Sequence, residues 1–109
     1  MSDEIVEARP GQTVTPKRCA GYCQESAGIR YYTLHAKAFV RWFSSRAQAA
    51  AILRWLNDQD DLIAEKYKYK PSLKSVQWAE RACRWPGGMV VKSIRMRDPF
   101  LSASRKKAA

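Results

Sequence analysis

Four consecutive residues alternate aromatic and cationic side chains: Tyr67, Lys68, Tyr69 and Lys70. In an extended backbone successive side chains point to opposite sides, so both lysines would lie on one side and both tyrosines on the other. Lysine ammonium groups neutralise phosphates, and an exposed tyrosine ring offers a surface on which a nucleobase can stack. This spacing indicates contact with nucleic acid, although tyrosines more often pack into a core or lie along its margin.

Basic residues continue on both sides of this stretch and extend the predicted contact surface. Arginines on an exposed helix face can span phosphates, or enter a major groove and bond guanine edges in pairs. The residues predicted to bind nucleic acid are Lys66, Lys68, Tyr69, Lys70, Lys74, Arg81, Arg84, Lys92, Arg95 and Arg97. The stretch 66–74 and the two arginines at 81 and 84 are expected to form its main part.

The charge of the chain is segregated as well as large. Of 109 residues, 20 are Lys or Arg and 10 are Asp or Glu, which gives a formal net charge of +10. Residues 1–65 hold as many acidic as basic residues, so the whole excess lies in residues 66–109. A segregated excess favours a polyanionic partner, whereas a scattered one would indicate only solubility. We therefore expect these positive charges to gather on a common surface.

Signatures of catalysis and metal binding are weak by comparison. His35 is the only histidine, and the sequence contains no Ser-His-Asp pattern, phosphate-binding glycine loop or HExxH motif. The ligand types of a Cys₃His zinc site are present in Cys19, Cys23, His35 and Cys83. Cys19 and Cys23 are closely spaced in the sequence, but the other two residues do not form a second closely spaced pair. The acidic cluster that begins at Asp58 is better explained by helix capping than by cation binding. We therefore predict a protein that is not an enzyme and has no cofactor, metal or small-molecule substrate.

Size, cysteine content and hydropathy limit the class of protein. A chain of 109 residues is enough for one domain whose modest core needs no disulfide or metal ion to be stable. Three cysteines at irregular spacing make a poor disulfide framework. The N-terminus is acidic and lacks an apolar stretch, and no apolar run approaches the length of a membrane span. These features predict a cytoplasmic protein with no membrane partner.

A second interpretation is a small inhibitor or adaptor that binds a partner protein. Its four tryptophans suit interface hot spots as well as a core: Trp42, Trp55, Trp78 and Trp85. Trp55 lies at the margin of the apolar stripe of its predicted helix, beside Arg54, where it would be exposed. Direct nucleic-acid binding is preferred, with DNA ahead of RNA, because an amphipathic helix with an arginine face suits a major groove.

Periodicity and capping signals predict the elements that position these residues. Residues 29–34 are rich in β-branched and aromatic side chains and predict a strand. Residues 36–43 fit one face of a helix as well as a strand, and their aromatic content favours the strand. Ser45 and Gln48 form a capping box, and the apolar stripe that follows predicts a helix ending near residues 57–58.

The second half of the chain is predicted to contain further helices and a final strand. Asp58 would cap a short second helix through Tyr67, and Ser72 or Ser75 would cap a third helix that reaches about Arg84. Alternating apolar residues then predict a strand over 89–97.

The domain organisation predicted from these elements is simple. An irregular lead-in covers residues 1–16, a single globular domain covers 17–97 and begins with a loop over 17–28, and a mobile basic tail covers 98–109. The predicted fold class is α+β, with N-terminal antiparallel strands, two to three central helices and a returning C-terminal strand.

Overall fold

Five strands form one mixed sheet in the computed structural model, which describes residues 4–9, 11–63 and 76–99. In chain order the strands are β1 (Ile5–Glu7), β2 (Gly21–Ser26), β3 (Ile29–His35), β4 (Arg81–Arg84) and β5 (Val90–Arg97). Their order across the sheet is β1-β2-β3-β5-β4, so the last strand lies between two earlier ones. β1 runs parallel to β2, and the other neighbouring pairs are antiparallel. The predicted α+β class and the returning strand are confirmed.

Two α-helices follow β3 within the described residues: α1 (Ala36–Arg41) and α2 (Arg46–Asp58). α2 begins at its predicted cap, where Ser45 Oγ accepts a hydrogen bond from the backbone N–H of Gln48 at 3.2 Å. The Gln48 side chain accepts from Ser44 instead of closing the box on Ser45. The predicted start and end of this helix are confirmed. Neither described helix is long and apolar enough to cross a membrane.

The two faces of the sheet carry separate cores, because successive side chains along a strand point to opposite faces. On the face that we call the helix face, Leu53 and Leu56 of α2 pack with Leu34 and Ile94 of the sheet. On the other, which we call the loop face, the segment between β1 and β2 covers part of the sheet. The buried residues of this second core are Val14, Cys19, Tyr22, Cys83, Trp85 and Val91.

The centre of the second core is a hydrogen-bonded tryptophan. Trp85 is 1% exposed, and its indole Nε1–H donates to Ser93 Oγ at 2.9 Å. Ser93 in turn donates to the carbonyl oxygen of Val91 at 2.9 Å. The Tyr22 ring meets the indole edge to face, with ring centroids 5.4 Å apart. The indole N–H and the Ser93 hydroxyl are thus both hydrogen-bonded within this core.

Two predictions for the first half of the chain are wrong. Residues 21–26, expected to lie in a loop, form β2, which pairs with β3 across a tight turn at Ala27 and Gly28, both with positive φ. Residues 36–41, for which a strand was preferred to a helix, form α1, because Ala36 and Phe39 bury one side of a helical turn. In addition, the lead-in contains β1, which pairs with β2.

The predicted second and third helices are also wrong within the described residues. Residues 61–63 are extended along β5: Leu62 bridges Met96, and the backbone N–H of Ile63 donates to Arg95 O at 2.9 Å. These backbone bonds to β5 replace those of a helix. Residues 81–84, expected to end the third helix, form β4 after a short 3₁₀ turn at Gln77–Ala79. Residues 64–75, which hold the rest of both predictions, lie outside the described residues.

Candidate nucleic-acid interface

The register of three strands determines which basic residues share a face. Tyr31 pairs with Arg97 across β3 and β5, Thr33 pairs with Arg95, and Arg81 of β4 pairs with Ser93. Directly paired residues lie on the same face, as do residues two apart along a strand. One tyrosine and three arginines from these strands therefore share the loop face. We call them the arginine patch: Tyr31, Arg81, Arg95 and Arg97.

Arg95 is held in the patch by an aromatic ring. Its guanidinium Cζ lies 5.5 Å from the centroid of the Tyr31 ring, within the range of a cation–π contact. Its Nε is buried and has no hydrogen-bond partner in the part of the chain that the structure describes. Nor does any described carboxylate form an ion pair with it. Arg95 is therefore positioned by the Tyr31 ring, and no carboxylate among the described residues neutralises its charge.

Arg97, by contrast, is tied to the polypeptide. Its Nε lies 3.9 Å from Asp61 Oδ1, and its Nη2 donates a hydrogen bond to the carbonyl oxygen of Asp60. The buried Asp61 also accepts a hydrogen bond from Gln59 Nε2 at 2.6 Å. Part of the Arg97 charge is thus compensated, and the residue fastens the segment 61–63 to β5.

Arg81 lies farther along the same face, on the opposite side of Ser93 from His35. Both residues pair with Ser93, Arg81 from β4 and His35 from β3. Burial lowers the pKa of His35, and the positive charges of Lys37 and Arg41 lower it further, while Glu80 opposes them. The imidazole is therefore neutral near pH 7, and Arg81 supplies the positive charge at this end of the patch.

The remaining described residues of the predicted site lie on the helix face. Lys92 pairs with Ala82, and Arg84 pairs with Val90, so both side chains point away from the arginine patch. The prediction that Arg81 and Arg84 share the exposed face of a helix is wrong, because they lie in a strand, where residues three apart point to opposite faces. The expectation of a common surface for the C-terminal charges is likewise wrong for Arg84 and Lys92.

Five residues of the predicted site fall outside the described part of the chain: Lys66, Lys68, Tyr69, Lys70 and Lys74. Their role stays a prediction. The predicted third helix, on which the preference for DNA over RNA depends, does not form over residues 76–84, so that preference loses its basis.

Tyr31 is the member of the patch that was not predicted from the sequence. It lies in a stretch expected to be a strand, but nothing in that stretch alone indicates which face meets Arg95 and Arg97. Only the pairing of β3 with β5 brings the ring beneath the guanidinium.

The considered zinc ligands do not converge. Cys19 and Cys83 are buried in the second core, where burial raises the pKa of the Cys19 thiol. Cys23 pairs with Tyr32 and faces the opposite side of the sheet. Over residues 4–9, 11–63 and 76–99, no three His, Cys, Asp or Glu side chains come together to hold a metal ion.

Comparisons with protein-family models, with curated proteins and with solved structures find no match to this chain. The geometry and charge of the arginine patch are therefore the basis of the functional inference.

Proposed function

We propose that this chain is a non-enzymatic nucleic-acid-binding protein whose contact surface includes the arginine patch. The observation that carries the proposal is Arg95, which is held on the Tyr31 ring without a carboxylate partner among the described residues. An arginine that is kept in place and that no described carboxylate neutralises is available to an external anion.

Two further features support a polyanion as the partner. The chain has a formal net charge of +10, which attracts phosphates over distances of about a Debye length, roughly 8 Å at physiological salt. Arg95 and Arg97 are two residues apart on β5, about 7 Å along the strand, and Arg81 lies on the neighbouring strand. Guanidinium groups bind phosphate with paired hydrogen bonds, so this row suits a phosphate backbone.

A binding titration tests the proposal directly. Labelled duplex DNA, single-stranded DNA and RNA are titrated with the full chain, and fluorescence anisotropy gives the affinity at several salt concentrations. Arg95→Gln should weaken binding to all sequences alike. If Arg95 contacts a phosphate, the substitution should also reduce the slope of log affinity against log salt by about 0.7 to 0.9.

The matched control is Arg46→Gln, which removes the same charge from the exposed first residue of α2, on the helix side of the sheet. Its affinities should equal those of the unaltered chain. If the chain binds none of the three polynucleotides at low salt, the proposal is refuted. Equal losses in the two variants would show that general charge, and not the arginine patch, is responsible.

The predicted contact through Lys68 and Lys70 is tested in the same titration. Neutralising both lysines together should lower the affinity for all sequences. If the whole surface neutralises about five phosphates, the salt slope on duplex DNA is about −4.5. An unchanged affinity would remove this stretch from the contact surface.

A protein partner is the second candidate, and exposed apolar side chains on the helix side favour it. Trp55 is 46% exposed and Ile52 37%, and these residues lie three positions apart on α2, so their side chains are neighbours. Trp42, after α1, is 37% exposed. Apolar groups left in contact with water are typical of interaction sites. A pull-down with the unaltered chain and with Trp55→Ala should then show a retained protein that the variant loses, and equal retention would exclude this surface.

A further inference from the structure

We infer that the ligand of the arginine patch is single-stranded nucleic acid, one base of which stacks on the Tyr31–Arg95 pair. This inference rests on the proposed function and names the class of polynucleotide. It is carried by the position of the pair within the sheet and by the chemistry of its neighbours.

The pair lies in the middle of a broad surface. Tyr31 of β3 has β2 beside it, and Arg95 of β5 has residues 61–63 beside it. The sheet at this level is therefore at least three strand spacings wide, roughly 14 Å. A major groove is about 12 Å wide and admits a helix or a two-stranded ribbon. The bases of an intact duplex consequently cannot reach the Tyr31 ring.

An unpaired strand can reach it, because its bases are free to turn away from the backbone. Tyrosine rings and guanidinium planes both stack on nucleobases, and the stacking tolerates any base. Since Arg95 already rests against Tyr31, the ligand does not have to order that side chain, and the entropy cost of binding is reduced.

Polar neighbours of the pair suit the two parts of a nucleotide. Gln24 of β2 pairs with Tyr31 and shares its face, and an amide can donate and accept hydrogen bonds at a base edge. Arg97 pairs with Tyr31 from the other side, and Arg81 lies beyond Ser93 on the same face. One stacked base would thus have a hydrogen-bonding group on one flank and cations for its phosphates on the other.

The test compares two strands that differ only in their bases. A single-stranded DNA oligonucleotide and an abasic strand with the same number of phosphates are titrated with the full chain at one salt concentration. We expect the abasic strand to bind about 5-fold to 150-fold more weakly, which is the effect of one stacked base. An RNA of the same sequence distinguishes the two kinds of polynucleotide.

Variants of Tyr31 test whether the base stacks on this ring. Tyr31→Leu should bind both strands equally while it keeps its salt dependence, and Tyr31→Phe should keep the preference for the strand with bases. Arg46→Gln, the matched control, should also keep the preference for the strand with bases. The comparison of the two strands on the unaltered chain needs no variant, so the inference stays testable even if Tyr31→Leu does not fold.

The outcomes separate this inference from the proposed function. Equal affinity for the two strands, or tighter binding of a duplex of the same length, overturns the inference but leaves nucleic-acid binding in place. A preference that persists in Tyr31→Leu also overturns it, because the base then stacks elsewhere. Failure to bind any polynucleotide, duplex included, refutes the proposed function itself.

Discussion

The hydrogen bond between Trp85 and Ser93 joins the second core to the strand that carries Arg95. Both side chains are buried, with exposed fractions of 1% and 0%, and the donor and acceptor lie 2.9 Å apart. Ser93→Ala removes the acceptor with almost no change of volume. The indole N–H is then buried without a partner, and water cannot replace the lost oxygen unless the core opens.

The expected cost follows from that geometry. An unpaired buried donor destabilises a protein by about 1 to 3 kcal/mol. A loss of about 2 kcal/mol lowers the melting temperature of a domain this size by roughly 10 °C. Trp85→Phe removes the N–H and also leaves a cavity, so it has a cost of its own. In that background, however, Ser93→Ala leaves no donor unpaired and should cost less than about 1 kcal/mol.

Urea unfolding followed by far-ultraviolet circular dichroism measures the four free energies of this double-mutant cycle. The coupling energy should be at least about 1 kcal/mol. If Ser93→Ala costs the same with Trp85 as with phenylalanine at that position, the hydrogen bond does not stabilise the core and the reasoning fails.

Three further predictions concern the sheet, the helix and the histidine. Gly21→Ala should destabilise the fold by about 3 kcal/mol in chemical denaturation, because a Cβ there would lie 2.3 Å from the carbonyl oxygen of Thr33; a loss below about 1 kcal/mol would contradict this close approach. Leu53→Ala, at a fully buried position, should cost about 2 to 5 kcal/mol, whereas Ile52→Ala on the exposed side should change stability by less than about 1 kcal/mol; similar losses would show that α2 packs differently. The pKa of His35 in the folded chain lies below its ordinary value of 6.5. Between the folded and unfolded pKa values the unfolded chain therefore binds more protons than the folded chain, and stability falls as the pH drops below about 6.5. Thermal melts should show that His35→Gln loses this part of the pH dependence, and identical profiles would exclude the assignment.

Elements governed by local interactions could be predicted from the sequence. The cap of α2 joins Ser45 to Gln48, only three residues apart, and its apolar stripe repeats at helical spacing. β3 carries a run of β-branched and aromatic residues, and apolar residues alternate along β5. Both patterns favour an extended backbone. For these elements the neighbouring residues are sufficient to determine the structure.

Elements governed by distant partners could not be predicted. Residues 81–84 show a helical arrangement of apolar positions, but Cys83 is buried because it pairs with Val91 in the sheet. Residues 61–63 are extended because β5, more than thirty residues later, offers them a free edge. The candidate site follows the same rule: Arg95 and Arg97 could be assigned to one side of a strand, but their contact with the Tyr31 ring depends on a register between distant segments.

The interior position of β5 in the sheet has a consequence for the order of folding. β1, β2, β3, both helices and β4 precede it in the chain, yet it separates β3 from β4 and its Ile94 belongs to the core beneath α2. Until this strand inserts, β3 has an unpaired edge and the apolar side of α2 lacks part of its covering. Loop closure between such distant strands is slow, so the amides shared by β3 and β5 should gain protection from hydrogen exchange together and late in refolding. The surface proposed to bind nucleic acid would then be assembled in that same final step.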